Sequence, residues 1–239
     1  MCTVTYLPTT SDNFVLTSNR DEAPVRSAEK FEQLTKNSIN IKFPKDKGAG
    51  GTWIAMSSSN RVVCLLNGAF IKHKHQPPYK RSRGLMVLQY FDYAKATDFF
   101  EQYDFKGMES FTFIIAEYGN LWEFRWDEKQ AHILELDAKS NHLWASATLY
   151  DSAAQKKRQI WFEKWQKEAP SPITQHILDF HFNAGDGDPW NDLQMNRNGV
   201  VKTIGITKVE KKTTAIEMTY FDLMNKIDML TNVHLDNIT

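Results

Sequence analysis

Residues 1–22, MCTVTYLPTTSDNFVLTSNRDE, contain two β-prone segments around a turn. Residues 2–7 and 14–19 are rich in β-branched and aromatic side chains, which favour strands. Residues 8–13 between them contain proline, serine, aspartate and asparagine, which favour turns. The pattern predicts a β-hairpin that ends beside the sequence Asn-Arg-Asp-Glu.

The register of this hairpin decides which side chains meet at its end. We expect Leu7 to pair with Phe14. That register pairs Cys2 with Asn19 and makes Asp21 a diagonal neighbour of Cys2 on the same sheet face. The sequence therefore predicts that an arginine, an aspartate and a thiol meet at one end of the hairpin.

Cys2 becomes the first residue of the chain if the initiator methionine is removed. A terminal cysteine carries a nucleophilic thiol and an α-amine, of pKa about 7.7–8.0, that can act as its base. Asp21 can hold that amine by a charge-assisted hydrogen bond, and Arg20 can lower the thiol pKa and orient a carboxylate or carbonyl group. The alternative is a surface turn with an Arg-Asp pair, in which Cys2 has no catalytic role.

Further motifs follow along the chain: Gly-Gly-Thr-Trp at residues 50–53, Ser-Arg-Gly at residues 82–84 and a threonine-containing strand at residues 203–207. Together with the opening Met-Cys and with Asn-Arg-Asp-Glu at residues 19–22, they resemble the NRDE family, also called the Transport and Golgi Organisation 2 family. The resemblance covers nearly the whole chain. That family is similar in layout to the N-terminal nucleophile hydrolases of the penicillin V acylase and bile salt hydrolase group.

The distribution of strands early, midway and late, with helices in two groups, predicts an α+β fold of two antiparallel sheets with helices outside. The resemblance implies the more specific four-layer αββα sandwich, as one domain over residues 1–239. It also implies a set of site residues. The catalytic residues are Cys2, Arg20, Asp21 and Asn67, and the substrate-binding residues are Asn19, Trp53 and Lys202. Asn67 precedes Gly68, and Asn-Gly is also a favoured turn dipeptide, so a turn role stands beside the oxyanion role.

Two departures from the family pattern affect the expected activity. Ala147 stands where the resembling hydrolases carry an oxyanion-stabilising asparagine, a donor that contributes roughly 2.7–4 kcal/mol. Lys202 stands where the family often has an arginine, and lysine cannot make the same forked contact. We expect weak hydrolysis of amide or acyl bonds through Cys2. The alternative is a non-catalytic binding or trafficking protein for a hydrophobic ligand, for which the resemblance implies haem, an acyl-lipid or acyl-coenzyme A.

Composition narrows the classes of partner. The 29 basic and 29 acidic residues cancel, which argues against a nucleic acid bound through bulk charge. Cys2 and Cys64 are too few for a disulfide framework and fit a reducing cytoplasm. No apolar run approaches the ~18–20 residues of a membrane-spanning helix. We therefore expect a cytoplasmic protein that binds a small molecule, without a cofactor or metal, and the oligomeric state is left open.

Secondary structure is predicted for the rest of the chain from periodicity and turn residues. The predicted strands are 52–56, 61–67, 111–116, 121–126, 131–136, 142–148, 200–208 and 214–221. The predicted helices are one capped by Ser82, then 97–103, 151–168, 173–182 and a short one in 222–230. Residues 73–81 are predicted to form a solvated loop whose basic residues meet an anionic substrate tail. Its two histidines have no carboxylate nearby in sequence, so a metal site is not predicted there.

Overall fold

The computed structural model describes residues 3–10 and 12–236 of the chain. Within these residues it contains four α-helices and fourteen β-strands. The helices are α1 (Arg83–Gln89), α2 (Ala96–Gln102), α3 (Ser152–Glu168) and α4 (Ile177–Asn183). The strands are β1 (Thr3–Pro8), β2 (Phe14–Glu22), β3 (Phe31–Lys36), β4 (Ile39–Pro44), β5 (Ile54–Ser57), β6 (Arg61–Asn67), β7 (Phe111–Glu117), β8 (Asn120–Trp126), β9 (Ala131–Leu136), β10 (His142–Ala145), β11 (Asn196–Arg197), β12 (Val201–Lys211), β13 (Ala215–Asp222) and β14 (Ile227–His234).

The strands form two antiparallel sheets. Sheet 1 has the order β10-β1-β2-β12-β13-β14, and β11 adds to β12. Sheet 2 is a meander from β3 to β9 in chain order. Every strand pair in both sheets is antiparallel.

The layers follow from the alternation of side chains along each strand. In β1 and β2, Val4, Tyr6 and Leu16 face sheet 2 and join the core between the sheets. Leu7 and Val15 point the other way and pack with residues of α3 and α4. A third cluster joins the outer face of sheet 2 to α1 and α2. The order of layers is helix, sheet, sheet, helix, which confirms the predicted α+β sandwich.

The N-terminal hairpin forms as predicted, but its register is shifted by one residue. Pro8 pairs with Phe14, Leu7 with Val15, and Thr3 with Asn19. The prediction that Leu7 pairs with Phe14 is therefore wrong. Proline is tolerated at this end of β1 because β10 pairs only with Thr3 to Tyr6, so no neighbour on that side needs the missing N–H. The predicted contact between Cys2 and Asp21 lies outside the described residues.

A hairpin of β3 and β4 was not predicted and forms the outer edge of sheet 2. Its turn consists of Asn37 and Ser38, which have φ of 47° and 66°. Two positive φ values in a two-residue turn match the twist of paired strands, and asparagine tolerates this conformation better than most residues.

The predicted helix within residues 222–230 is wrong, because the chain turns and forms β14. The Asp222 carboxylate accepts hydrogen bonds from the backbone N–H groups of Met224 and Asn225, at 2.8 and 3.1 Å. Lys226 follows with a φ of 57°. This side-chain-capped turn competes with a helix start, and it returns the chain antiparallel to β13.

Helix α3 is longer than the other three and begins at an effective cap. Asp151 accepts a hydrogen bond from the backbone N–H of Ala154 at 2.8 Å. Its buried stripe contains Ala154, Arg158 and Phe162, whereas Trp161 and Trp165 are only partly buried. Arg158 is fully buried, and its guanidinium carbon lies 3.3 Å from the ring centroid of Tyr150.

His181 in α4 is fully buried against two polar residues of sheet 1. The Asn19 amide donates to the backbone carbonyls of His181 and Leu193, at 3.1 and 2.9 Å. Its remaining oxygen must then accept from Nδ1–H of His181, so Nε2 accepts from the Thr5 hydroxyl at 2.8 Å. These bonds fit the neutral ring and fix helix α4 to β1 and β2.

Burial lowers the pKa of His181 from 6.5 to about 3. The unfolded chain protonates this histidine at a higher pH than the folded chain does. The contribution of neutral His181 to stability is therefore complete above pH 6.5 and decreases as the pH falls toward 3. We expect His181 to account for up to about 1.4 kcal/mol of stability per pH unit in that window. Urea unfolding of the natural chain and of His181→Gln, from pH 7 to pH 4, measures the difference in slope. His176→Gln is the matched control, and an unchanged slope in His181→Gln would contradict the assignment.

No helix in the part of the chain that the structure describes is long and apolar enough to cross a membrane.

Candidate functional site

Adjacent residues of β2 point to opposite faces of sheet 1, so the predicted site residues separate into two groups. Arg20 and Glu22 face sheet 2 and line a cavity. Asn19 and Asp21 face the layer of α3 and α4. The structure therefore does not bring Arg20 and Asp21 to the same face of the hairpin.

The cavity beside Arg20, called here the Arg20 cavity, has a volume of about 350 Å³. Three of the predicted site residues line it: Arg20, Trp53 and Asn67. Trp53 belongs to the core between the sheets, which places the cavity at one end of that layer. Lys202 and Asn19 are not among its lining residues. Lys202 pairs with Glu22 across β12 and β2.

A buried ion-pair network holds Arg20. Its Nη2 donates to Asp46 Oδ2 at 2.6 Å and to the backbone carbonyl of Arg26 at 3.2 Å. The guanidinium carbon lies 3.7 Å from the ring centroid of Trp53, at stacking distance. Arg26 also donates to Asp46, at 2.5 and 3.3 Å, and to Glu22. One carboxylate thus organises two arginines.

The carboxylate of Asp46 has further donors. The backbone N–H groups of Gly48 and Ala49 donate to its Oδ1 at 2.8 and 2.9 Å. Burial acts to raise the pKa of Asp46, but the hydrogen bonds and charges of Arg26 and Arg20 outweigh it and lower that pKa to about 2. Asp46 is therefore ionised at neutral pH, as its partners require.

One wall of the cavity forms where two glycine-containing motifs meet. The backbone N–H of Thr52 donates to the carbonyl of Gly84 at 3.1 Å. A Cβ atom placed on Gly51 would lie 2.4 Å from the carbonyl carbon of Gly84. The two backbones are thus in direct contact, and only glycine at position 51 allows this approach. The Gly-Gly-Thr-Trp and Ser-Arg-Gly segments are therefore one structural unit.

The loop of residues 73–81 is anchored at the rim of the cavity rather than free in solvent. Nε2 of His73 and Nδ1 of His75 lie 2.9 and 3.2 Å from Oε1 of Glu109, and Nδ1 of His73 lies 2.8 Å from the Ser110 hydroxyl. Arg83 binds the other oxygen of Glu109 at 2.8 Å. Sequence reasoning missed this contact, because Glu109 is more than thirty residues from either histidine. Within the described residues, no group of histidine, cysteine and acidic side chains is arranged to hold a metal ion.

On the other face of β2, Asp21 lies in a buried polar pocket. Its Oδ2 accepts from the Tyr150 hydroxyl and its Oδ1 from the Thr203 hydroxyl, both at 2.6 Å. Arg158 stacks on the Tyr150 ring and donates to the Thr3 hydroxyl at 3.2 Å. Sequence reasoning did not single out Tyr150 or Arg158, because neither belongs to a motif and both are distant from β2 in the chain.

Ala147 lies next to the segment that carries Asn67. The Ser146 hydroxyl donates to the Asn67 carbonyl at 2.7 Å, and a Cβ on Gly68 would lie 2.6 Å from the Thr148 hydroxyl oxygen. The two lie on different cavities: Asn67 lines the Arg20 cavity, and Ala147 lines a second cavity of about 620 Å³. That second cavity is called here the Trp190 groove.

We expect Asp46→Asn to destabilise the protein by about 3–5 kcal/mol, because it leaves the almost fully buried Arg20 without a carboxylate, whereas Arg26 keeps Glu22. The stabilisation that corresponds to the lowered pKa of Asp46 is present above about pH 3.8 and is lost as the pH falls through about 2. Urea unfolding at pH 7 measures the loss. Asp104→Asn, which removes an exposed pair with Lys80, is the control and should change stability far less. Equal effects of the two variants would refute a central role for Asp46.

We expect Gly51→Ala to destabilise by about 1–3 kcal/mol, because the new methyl group meets backbone atoms that cannot rotate away. Gly84→Ala should have a smaller effect, since its nearest contact, the Thr52 carbonyl oxygen, lies at 3.1 Å. Thermal unfolding of both variants tests the order, and a larger loss in Gly84→Ala would contradict the described contact.

No curated protein matches the chain. Many solved structures have a similar fold, and three of them are compared with this chain. They are a Caenorhabditis elegans N-acylethanolamine-hydrolyzing acid amidase orthologue and two variants of the conjugated bile acid hydrolase of Clostridium perfringens, one with an arginine replaced by leucine and one with a cysteine replaced by alanine. The amidase has a TM-score of 0.59 and 9% identity over 87% of this chain and 92% of its own. The arginine-to-leucine variant has a TM-score of 0.62 and 8% identity over 100% of both chains. The cysteine-to-alanine variant has a TM-score of 0.56 and 7% identity over 99% of this chain and 97% of its own.

At these identities the structural matches establish a shared N-terminal nucleophile hydrolase-like fold and do not by themselves establish an activity. The family comparison is independent of them. A model of the family described as Transport and Golgi organisation 2 matches residues 1–220. That match spans most of the chain and includes both faces of β2, the Arg20 cavity and its glycine wall. The chain therefore belongs to the Transport and Golgi organisation 2 family.

Proposed function

We propose that this protein is a small-molecule hydrolase of low activity that cleaves amide or acyl bonds through the thiol of Cys2. The observation that carries the proposal is the Arg20 cavity. Three residues that the family resemblance marks as site residues, Arg20, Trp53 and Asn67, line it together. The solved structures of similar fold include an amidase and a bile acid hydrolase.

Cys2 lies outside the described residues, so its link to the cavity rests on chain connectivity. It immediately precedes β1, and β1 begins with Thr3 opposite Asn19, the neighbour of Arg20. In the proposed reaction, the α-amine takes the thiol proton, and the sulfur attacks the carbonyl carbon. The C–N or C–O bond then breaks, and the leaving group departs with the proton. Water hydrolyses the resulting thioester and restores the thiol.

In this proposal Asp21 holds the α-amine from the helical face of sheet 1, opposite the face that carries Arg20 and the cavity. Its two oxygens are fixed by the hydroxyls of Tyr150 and Thr203, so its carboxylate cannot rotate freely. Asn67 and backbone N–H groups would supply the oxyanion donors. Ala147 supplies none, and one absent donor lowers kcat by about 10²–10³. Weak turnover is therefore part of the proposal.

The Trp190 groove favours a second candidate function, binding of a hydrophobic ligand without turnover. Phe70, Ile71 and Trp190 line it and are 49%, 77% and 49% exposed. Exposed apolar side chains that share one groove mark binding sites more often than isolated ones do. The family resemblance suggests haem, an acyl-lipid or acyl-coenzyme A as the ligand.

The thiol of Cys2 distinguishes the two functions, because hydrolysis requires it and ligand binding does not. We expect Cys2 to react with iodoacetamide near pH 7, whereas Cys64 stays unmodified in the folded protein because it is fully buried and burial raises its pKa to about 12. We also expect Cys2→Ala to abolish hydrolysis of N-acyl and ester substrates. Cys64→Ala is the matched control and should retain both labelling at Cys2 and turnover.

Mass spectrometry of the intact protein shows whether Met1 is removed, and peptide mapping after incubation with substrate shows whether an acyl group is attached to Cys2. Turnover that persists in Cys2→Ala, or a retained methionine in an active preparation, would refute the hydrolase mechanism. A natural protein without turnover that binds hydrophobic ligands equally well as Cys2→Ala would support the second function.

A further inference from the structure

Two residues that line the Arg20 cavity each carry a buried N–H donor without an acceptor among the described residues: Nε of Arg20 and Nε1 of Trp53. The two residues are 4% and 2% exposed, so bulk water does not solvate these atoms. A buried donor without a partner costs about 1–3 kcal/mol, and folded proteins rarely leave one unsatisfied. Two such donors on residues that line one cavity point to an acceptor that is not among the described residues, and a ligand in the cavity would supply one.

The charges around the cavity indicate the sign of that acceptor. Four arginines line it, Arg20, Arg26, Arg81 and Arg83, against three carboxylates. Asp46 and Glu22 neutralise Arg20 and Arg26, and Glu109 neutralises Arg83. Arg81 makes no ion pair with any described residue. One positive charge thus exceeds the acids at the rim, and the cavity suits a ligand with a single negative charge.

The size and lining limit the ligand further. A volume of about 350 Å³ is near the lower end of small-molecule sites. Trp53 and Leu65 offer apolar contact, and the stacked guanidinium and indole offer a flat surface. A phosphate dianion would meet three fixed carboxylates, which repel a second negative charge. A planar carboxylate has one charge and two acceptor oxygens, and it matches two N–H donors.

We propose that the Arg20 cavity is a binding site for a small monocarboxylate of amino-acid size, whose carboxylate accepts from Arg20 Nε–H and Trp53 Nε1–H. The binding of a carboxylate in this cavity does not depend on a catalytic role of Cys2. The further claim that such carboxylates are the substrate class rests on the proposed function. The binding is therefore measured in the Cys2→Ala protein, where a failed hydrolase mechanism leaves the result unaffected.

The probe is N-acetylglycine, titrated calorimetrically into folded Cys2→Ala protein at pH 7. N-acetylglycinamide, which has the same shape without the charge, and inorganic phosphate are the comparison ligands. We expect N-acetylglycine to bind and both comparison ligands to bind at least tenfold more weakly. Equal binding of the neutral amide, tighter binding of phosphate, or no binding of the carboxylate at millimolar concentration would overturn the proposal.

The donors themselves are tested with Trp53→Phe, which keeps an aromatic ring under Arg20 and removes the indole N–H. Its affinity for N-acetylglycine should fall about tenfold, while the affinity of the matched control Trp190→Phe, in the Trp190 groove, stays the same. Thermal unfolding checks that both variants fold. If Trp53→Phe does not fold, Arg20→Lys tests the other donor, because lysine keeps the charge and lacks Nε–H in that position. Unchanged affinity in the folded variant would contradict the proposal.

Discussion

The contact of Asp46 with Arg20 and Arg26 is the constraint on which the site depends. Arg20 belongs to sheet 1, and Asp46 lies two residues beyond the end of β4 in sheet 2, so their contact joins the two sheets at one end. Removing a charge from water costs several kcal/mol per ion, and that cost is offset only when geometry and hydrogen bonding are complete. This contact therefore favours one relative position of the sheets at this end, and the Arg20 cavity lies beside it.

The Asn-Arg-Asp-Glu sequence has a simple physical meaning in this fold. Because strand residues alternate, one four-residue segment serves two layers. Asn19 and Asp21 fix α4 and Tyr150 on the helical side, and Arg20 and Glu22 build the cavity between the sheets. A motif whose members act on opposite faces links the packing of the helical layer to the shape of the cavity.

Local sequence was sufficient to predict most of the strands and the two-sheet architecture, because alternation and turn residues act over a few positions. The predicted cap residue Ser82 does precede α1, but its side chain makes no capping hydrogen bond. It was insufficient where distant partners or exact turn geometry decide the outcome. The hairpin register depended on whether Pro8 could extend β1, which depends on the length of β10. The helix expected near residue 222 gave way to a turn capped by its own aspartate. No residue near Asn19 in the sequence indicates that its side chain hydrogen-bonds to His181 and Leu193.

The site was predicted only in part. The family resemblance marked Arg20, Trp53 and Asn67. Asp46 and Glu109, which position the arginines of the site, belong to no motif.

The contact of Gly51 with Gly84 has a consequence for how this protein can change. Neither glycine has a side chain, so a methyl group added at position 51 cannot be accommodated by a smaller residue at position 84. Relief requires a shift of α1 as a body, and that shift would move Arg83 relative to Glu109 and displace the anchored loop from the rim. Main-chain geometry rather than side-chain packing thus sets the width of the cavity on this side. Side chains of the hydrophobic core can therefore be substituted without changing the width of the cavity on this side.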